Sequence, residues 1–150
     1  MDDVENDLLI RKIKPEDATE ITAIQAAITK VPSGIDFRYI IEEQVQKNGD
    51  VSFSAELNGK VVGYMISYIV SGGFGLQRTA WITTLGVDPK YMGQGIGRLL
   101  AEKLLSAYRE KEIDNIFTAV RWDSVDLLSF FKTLGFDRSD HIHLERKLEW

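Results

Sequence analysis

The residues best suited to chemistry are three glycines at alternate positions, Gly93, Gly95 and Gly97, between a β-prone run and an amphipathic helical pattern. The first amides of a helix have no partner inside the helix, and the helix dipole adds partial positive charge there. Glycines let the backbone approach a ligand closely. The segment therefore predicts an anion site, most often one for phosphate, and Arg98 adds a cation in the first helical turn.

Two familiar phosphate-binding motifs do not fit this turn. A P-loop ends in Gly-Lys-Ser or Gly-Lys-Thr, which is absent here. The dinucleotide fingerprint needs a glycine at its sixth position, where this chain has Arg98, and the Asn58-Gly59 hairpin signal argues against its parallel sheet. An unrelated domain that binds a phosphate ligand such as a nucleotide stays open as one alternative.

The elements around the turn predict the order β-α-α-β-β-β-α-β-α-β in one domain that spans residues 1–150. The second to fourth strands predict an antiparallel meander, and residues 80–120 predict a βαβ unit with parallel pairing. We expect an α/β fold, a mixed sheet with helices on both faces. The predicted strands cover 8–13, 51–57, 61–70, 80–87, 116–120 and 141–150, and the predicted helices begin near Pro15, Asp36, Ile96 and Val125.

Composition narrows the function classes. The 150 residues are 44% apolar and 27% charged, as in a soluble globular domain. A net charge of −5 argues against nucleic acid and suits a cationic or amine substrate. No cysteine is present, which excludes a disulfide scaffold, a thiolate zinc site and a cysteine nucleophile. No apolar run reaches ~18 residues and the acidic start Met1–Glu5 is unlike a secretory signal, so we predict a cytoplasmic protein without a membrane partner.

The segment Met92-Gly93-Gln94-Gly95-Ile96-Gly97 resembles motif A of the GNAT acetyltransferase superfamily, usually written Arg/Gln-x-x-Gly-x-Gly/Ala. Met92 stands where that motif has Arg or Gln. Leu134-Gly135-Phe136 resembles the second conserved segment of the same family, and the order of elements also fits. The resemblance covers nearly the whole chain, and it implies a GNAT-like fold with a splayed mixed sheet.

The resemblance also implies how acetyl-coenzyme A is bound. The pyrophosphate would lie on the turn amides of residues 93 to 98, and the pantetheine arm would run along one strand. An amine would then attack the acetyl carbonyl directly in the gap between two splayed strands, with no metal and no covalent enzyme intermediate. The implied cofactor-binding residues are Leu85, Gly86, Val87, Met92, Gly93, Gln94, Gly95, Ile96, Gly97, Arg98, Ser124 and Phe131.

The catalytic residues stay unassigned. Many relatives place a Tyr acid where this chain has Phe131, and an Asn where it has Ser124. We hypothesise that coenzyme A leaves as a thiolate, unaided or through water, because a thiol with a pKa of about 8.5 makes this cost only ~2 kcal/mol. The candidate bases are Asp36, Glu42 and Glu43, or a water chain through Thr83 or Thr84, and the sequence does not decide among them.

We therefore expect an N-acetyltransferase acting on a primary amine: a small molecule, an amino acid, or a protein N-terminus or Lys. Val120-Arg121, together with Leu-Gly-Phe, resembles the ribosomal-protein N-terminal acetyltransferases. The alternative is a catalytically weak acyl-coenzyme A sensor or scaffold of the same fold. His141 and His143 lack a third metal ligand, and the apolar pattern of the last strand makes a homodimer plausible: Ile142, Leu144, Leu148 and Trp150.

Overall fold

Five strands form one sheet in which each strand lies beside the next one along the chain. The computed structural model describes residues 7–47, 51–72 and 77–149. The first three pairings are antiparallel and the fourth is parallel. The predicted meander of the second to fourth strands and the predicted parallel pairing within residues 80–120 are confirmed. The strands are β1 Leu8–Lys12, β2 Phe53–Leu57, β3 Lys60–Ser71, β4 Arg78–Val87 and β5 Ile116–Thr118.

The described residues also form four helices and two short 3₁₀ turns, Pro15–Asp17 and Pro89–Tyr91. The predicted cap at Asp36 is confirmed, since its carboxylate accepts a hydrogen bond from the Tyr39 amide at 3.0 Å. None of these helices has the length and apolar character needed to cross a membrane. The helices are α1 Ala18–Thr29, α2 Phe37–Tyr39 with its π-helical continuation Ile40–Val45, α3 Ile96–Glu110 and α4 Val125–Thr133.

The predicted hairpin at Asn58-Gly59 is confirmed. Both residues have positive φ, 52° and 82°, as a type I′ turn requires. Leu57 and Lys60 pair across the turn. The turn fixes the register of β2 against β3, which is the strand at the centre of the sheet.

Two buried clusters lie on opposite faces of the sheet. One contains the buried face of α3, with Leu100 and Leu104, and the other contains Ile21 of α1. Neighbouring residues of β3 belong to different clusters, Met65 to the first and Ile66 to the second. Burial on both faces explains why this strand has a nearly continuous apolar sequence, and the helices cover both faces as predicted.

A buried ion pair ties β1 to the turn before α1. Two guanidinium nitrogens of Arg11 donate to the Asp17 carboxylate at 2.8 and 2.9 Å, and Arg11 Nε donates to Glu56 at 3.0 Å. The Lys14 amide and the Ser54 hydroxyl donate to the same carboxylate, each at 2.9 Å. Burial by itself would raise the pKa of Asp17, but the hydrogen bonds from Arg11, Lys14 and Ser54 outweigh it and lower that pKa.

The prediction of a sixth strand over His141 to Trp150 is wrong for the part that is described. Residues 141–149 form no strand and are exposed throughout. The alternating pattern indicates a segment with two different faces, but a strand also needs a neighbour, and this segment pairs with no strand among the described residues. Trp150 lies outside them.

Several element ends differ by a few residues from those predicted. β2 begins at Phe53 and not at Val51, and β5 ends at Thr118 and not at Val120. The predictions for Met1–Glu5, for the helix end at Asn48-Gly49 and for most of the loop at 71–75 lie outside the described residues.

Candidate functional site

The sheet opens between β4 and β5. The two strands pair only from Ala80 with Ile116 to Ile82 with Thr118. The Thr118 hydroxyl donates to the Ile82 carbonyl oxygen at 3.0 Å, directly where the pairing ends. β4 continues to Val87, and no other strand of the described residues lies on that side of its second half. The strands therefore splay, and a gap opens beside the carboxyl-terminal half of β4.

A β-bulge lies where the strands separate. Ile66 of β3 pairs with Thr84 and Ser67 pairs with Ile82, so Thr83 is an extra residue in β4. The Thr83 side chain is exposed, and its hydroxyl donates to the Ile66 carbonyl oxygen at 3.2 Å. A bulge bends its strand and increases the local twist, which accounts for β4 leaving β5 at this point.

The register identifies the backbone groups that face the gap. The Asp88 amide donates to the Val62 carbonyl oxygen at 2.8 Å, which makes that position a hydrogen-bonded one. Such positions alternate along an antiparallel pair. Leu85 and Val87 therefore direct their amides and carbonyls away from β3 into the gap, while Gly86 directs its own toward β3. Of the three cofactor-binding residues predicted on this strand, two direct their backbone groups into the gap.

Gly86 is instead confined by its neighbours. A Cβ atom there would lie 2.8 Å from Cε1 of Tyr64 and 3.0 Å from Cδ1 of Ile28. These contacts are below the normal van der Waals distance, and one of them comes from a ring packed in the core. The end of α1 thus rests directly on β4 because residue 86 has no side chain.

We expect Gly86→Ala to lower the free energy of unfolding by about 1–3 kcal/mol, because overpacking a filled site forces its neighbours to shift. Thermal unfolding would show this as a lower Tm. Gly34→Ala is the matched control, since a Cβ at Gly34 meets nothing within 4 Å. Equal Tm values for the two variants would contradict the close packing described here.

The glycine turn follows the open edge after Asp88 and the 3₁₀ turn Pro89–Tyr91. Gly93 and Gly95 have φ of 81° and 84°, in the left-handed region that favours glycine, and a Cβ at either meets nothing within 4 Å. Met92, Gly93, Gln94 and Gly95 are all exposed. The turn is therefore open to solvent and has room for a ligand against its backbone.

The amino end of α3 lies at this turn without a side-chain cap. Gly95 is the N-cap residue, and the Leu99 amide makes the first intrahelical hydrogen bond, to the Gly95 carbonyl at 3.0 Å. The amides of Ile96, Gly97 and Arg98 come before it, so they have no partner within the helix. This arrangement can bind an anion with backbone groups and with the positive end of the helix dipole.

Side chains next to these amides fix the turn against the rest of the molecule. Ile96 is buried in the core cluster under α3. A Cβ at Gly97 would lie 3.3 Å from Cε1 of Phe130, so this residue lets α4 pack against the start of α3. Arg98 is exposed, and its Nε lies 3.7 Å from Glu102 on the same helix, a long contact that leaves the guanidinium accessible to a ligand.

Ser124 and Phe131 lie on α4. Ser124 is the half-buried N-cap residue of that helix, and its carbonyl accepts from the Leu128 amide at 3.0 Å. Phe131 is buried, with its ring 5.2 Å from Phe130 and 5.1 Å from Phe136. Phe131 therefore packs the core, and contact of either residue with a cofactor remains a prediction.

The segment Leu134-Gly135-Phe136 ends α4. The Phe136 amide donates to the Phe131 carbonyl at 3.0 Å and the Gly135 amide to the Lys132 carbonyl at 3.0 Å, while Gly135 has a φ of 91°. This is a Schellman motif, and the contact between the Phe131 and Phe136 rings is the hydrophobic contact that accompanies it. The physical role of the segment is to stop the helix and turn the chain.

The acids proposed as bases already have partners. Asp36 caps α2, Glu42 pairs with Arg38 at 2.9 Å and Glu43 pairs with Lys47 at 2.8 Å. All are exposed, as on a solvated helix face. In the part of the chain that the structure describes, no three His, Asp or Glu side chains are grouped as metal ligands.

Tyr64 is a buried polar group that the sequence did not single out. Its hydroxyl lies 3.5 Å from Oγ1 of Thr84, near the open edge, and its ring packs edge-on against Phe37. Burial raises the pKa of Tyr64, so the phenol is neutral at physiological pH and can only donate or accept a hydrogen bond. Tyr64 lies within an apolar run read as a buried strand, and nothing in that pattern distinguished it.

An open strand edge close to an uncapped helix end offers backbone groups that suit a long ligand with an anionic group. Residues 18–136 match the acetyltransferase (GNAT) family, and the chain belongs to that family.

Among curated relatives, the chain is 26% identical over 89 residues to the [Ribosomal protein bS18]-alanine N-acetyltransferase of Escherichia coli (strain K12). That match covers 59% of this chain and 56% of the relative, so the chain spans little more than half of the length of the curated relatives it matches.

Solved structures extend the likeness in fold over nearly the whole chain. An aminoglycoside acetyltransferase from an uncultured soil metagenomic sample, in complex with sisomicin, has a TM-score of 0.81 at 22% identity, with 97% of this chain and 99% of that chain covered. The aminoglycoside N-acetyltransferase AAC(6′)-Iy in complex with CoA has a TM-score of 0.75 at 16% identity, with 93% and 94% covered. At these identities the likeness shows a shared fold.

Proposed function

We propose that this protein is an N-acetyltransferase that transfers the acetyl group of acetyl-coenzyme A to a primary amine. One observation carries the proposal: a short segment, residues 88–95, joins the unpaired half of β4 to the uncapped amino end of α3. The amides of a pantetheine arm can pair with the backbone of β4, and a diphosphate can bind the amino end of α3. Membership of the acetyltransferase (GNAT) family supports this assignment.

The residues present fit such a co-substrate. The backbone of Leu85 and Val87 would bind the pantetheine arm, and the turn residues 92–98 would bind the pyrophosphate, with Arg98 as an added cation. Glycines at 93 and 95 leave that surface free of Cβ atoms. Gly86 would contribute to the site by its packing against α1. We also propose that Ser124 and Phe131 contact the coenzyme.

The chemistry would be direct attack in the gap between β4 and β5. The amine nitrogen forms a bond to the acetyl carbon, the carbon–sulfur bond breaks, the nitrogen loses a proton and coenzyme A leaves as thiol or thiolate. Because Tyr64 is held neutral by burial, it would act as a hydrogen-bond donor and not as a base. We propose that water near Thr83 and Thr84 takes the proton, since the nearby hydroxyls cannot hold a negative charge at neutral pH.

The proposed acceptor is a primary amine. Activity measurements on a panel of amines would identify its class. The named relatives act on a ribosomal protein alanine and on aminoglycosides. A panel for this chain therefore contains an alanine-first peptide, a lysine peptide, an aminoglycoside and single amino acids. A cytoplasmic location, the absence of nucleic-acid and membrane partners, and the single domain over 1–150 remain predictions from the sequence.

We expect acetyl-coenzyme A at about 100 times its Kd to stabilise the protein by about 2.7 kcal/mol, which raises the Tm by roughly 5–10 °C. Coenzyme A should act similarly, whereas ATP and NAD at the same concentration should shift the Tm much less. Thermal unfolding with each compound measures this. A shift that is equal for all four would indicate a general phosphate site, and no shift with any of them would contradict the proposal.

The second candidate is an acyl-coenzyme A sensor with little turnover. It is favoured by one observation, the burial of Phe131 in the core at the position where many relatives have a Tyr acid. Binding of acetyl-coenzyme A without acetylation of any amine in the panel would select it. Acetylation of one amine in preference to the others would select the enzyme.

A further inference from the structure

Three aromatic side chains form a row across the sheet, one from each of three neighbouring strands. Tyr68 of β3 lies directly opposite Trp81 of β4, and Trp81 lies directly opposite Phe117 of β5. Residues that lie opposite one another in a ladder point to the same face of the sheet. The Trp81 and Phe117 rings stack, with their centroids 5.1 Å apart and an angle of 30° between their planes. We call these three side chains the aromatic row.

The aromatic row lies on the face of the sheet that α1 and α2 cover, but beyond the part that they cover. Tyr64 and Ile66 of β3 belong to the buried cluster on that face, and Tyr68 continues the same alternation along the strand. Among the described residues, neither buried cluster includes a side chain of the row, and all three side chains are half-buried. The row is therefore apolar surface that the described core does not use.

The row lies next to the start of the gap between β4 and β5. Ile82 and Thr118 form the last pair of these two strands, and Trp81 and Phe117 form the pair before it. Consecutive residues of a strand are about 3.3 Å apart along it, so the row lies within a side-chain length of the gap. The His141 ring packs edge-on against Phe117 at 5.9 Å and bounds the row at its β5 end.

The proposed acetyl transfer places the reacting amine at the same end of the gap. The coenzyme would begin at the glycine turn, and its arm would pass Val87 and then Leu85. Continued in the same direction along β4, the arm reaches Thr83, the bulge residue where the strands separate. The acetyl carbon, at the end of the arm, would then lie beside the aromatic row.

The other face of the sheet is closed at this level. Ile82 points to that face, and it is buried in the cluster under α3 together with Phe131 of α4. The Thr83 side chain at the gap is exposed. An acceptor therefore approaches the gap from the face that carries the row, and the group next to its amine lies on the three aromatic side chains.

Three aromatic side chains next to one another suit a bulky apolar group, and a flat aromatic group above all. Aromatic rings bury a large apolar area, and they gain further energy from stacked or edge-on contacts with another ring. The row contains no charged side chain that would pair with a second cation on the acceptor. A cation can also bind the face of a tryptophan ring, but Phe117 already covers part of one face of Trp81.

We propose that the aromatic row binds the group next to the amine of the acceptor, and that the protein acetylates amines with a bulky apolar group, aromatic above all, in that position. This inference rests on the proposed acetyl transfer, because the gap fixes where the amine reacts. It narrows the acceptor from any primary amine to amines that cover Tyr68, Trp81 and Phe117.

Amino acid amides test the proposal, because each has a single reactive amine and they differ only in the side chain beside it. The series contains the amides of phenylalanine, leucine, alanine and arginine, with acetyl-coenzyme A at saturation. We expect kcat/KM for phenylalanine amide to exceed that for alanine amide by about 10–100-fold, since a large apolar group leaves water on binding. Leucine amide should lie between them. Equal values, or a preference for arginine amide, would overturn the proposal.

Trp81→Leu should remove most of this preference. We expect it to lower kcat/KM for phenylalanine amide by about 10-fold and that for alanine amide by less than about 3-fold. Trp81→Phe keeps a ring and should retain most of the preference. Trp122→Leu is the matched control, since Trp122 is 86% exposed and lies outside the row, and it should leave both values unchanged. Equal losses for the two amides in Trp81→Leu would overturn the proposal.

A binding measurement tests the row without turnover. In the double variant Trp122→Phe and Trp150→Phe, Trp81 is the single remaining tryptophan, so its fluorescence reports on the row. With or without coenzyme A, phenylalanine amide should change this emission at about 10-fold lower concentration than alanine amide.

The two measurements distinguish failure of the row from failure of the proposed function. A response of Trp81 to phenylalanine amide with no acetylation of any amine would support the row as a binding surface and contradict the acetyl transfer. Acetylation of other amines with no response of Trp81 to phenylalanine amide would overturn the row and leave the acetyl transfer in place. If neither acetylation nor a response is seen, both are overturned.

Discussion

Gly95→Asp should weaken the binding of acetyl-coenzyme A by on the order of 100-fold, roughly 3 kcal/mol. Residue 95 caps α3 at the centre of the exposed turn, so a carboxylate there would face the pyrophosphate at close range. Two like charges about 4 Å apart near a protein surface repel by up to ~4 kcal/mol. The carboxylate would also occupy the free amides of the helix end, since Asp is a good N-cap residue.

Gly95→Asn is the matched control. Asn has nearly the shape of Asp, meets the same backbone strain at a φ of 84° and carries no charge. It should lose much less affinity, while the Tm of the free protein should be no lower for Asp than for Asn, because a negative charge favours the helix dipole. Calorimetric titration of both variants separates the effect of the added charge from the effect of the backbone strain. Equal affinities would show that the pyrophosphate binds elsewhere.

Asp17→Ala should cost about 3–5 kcal/mol of stability, because it leaves the Arg11 guanidinium partly buried without its main partner. For a chain of this length that lowers the Tm by roughly 10 °C. Glu43→Ala removes an exposed ion pair with Lys47 and should change the free energy of unfolding by under ~1 kcal/mol. Urea unfolding measures both variants. Similar losses would mean that the Arg11–Asp17 pair behaves as a surface contact.

The same pair gives the stability a defined pH dependence. The pKa of Asp17 is lower in the folded protein than in the unfolded chain, where it is about 3.9. A lowered pKa contributes stability that is fully present above the unfolded value and is lost as the pH falls through the folded value. The stability difference between the unmodified chain and Asp17→Asn should therefore be constant at neutral pH and shrink below about pH 4.

Local signals predicted the turns well. Asn58-Gly59 and the glycines at 93 and 95 all occupy positive φ, a requirement that acts on single residues and can be read without knowing the rest of the fold. The helix that follows Gly95 was predicted from its apolar period alone. Gly93, Gly95 and the start of this helix form the turn that we propose as the pyrophosphate site.

Features that depend on a neighbour could not be predicted in this way. The bulge at Thr83 exists only in the pairing of β4 with β3, and no residue type in β4 marks it. Phe131 and Tyr64 lie in apolar patterns, which predict that the two side chains are buried but not which side chains they contact. The prediction of a last strand was wrong for the same reason. The alternating pattern at 141–149 indicates a segment with two different faces, but no strand among the described residues pairs with it.

A site built from main chain resists mutation in an unusual way. The groups that face the gap at Leu85 and Val87 are amides and carbonyls, which every residue except proline supplies in full. If the pantetheine arm pairs with this backbone as proposed, most replacements of the Leu85 and Val87 side chains would leave its contacts in place. On the same proposal, Met92 would serve where the motif has Arg or Gln, because its backbone would make the contact. The vulnerable positions are the few glycines, so sequence drift in this protein should be wide at Leu85 and Val87 and narrow in the turn that follows them.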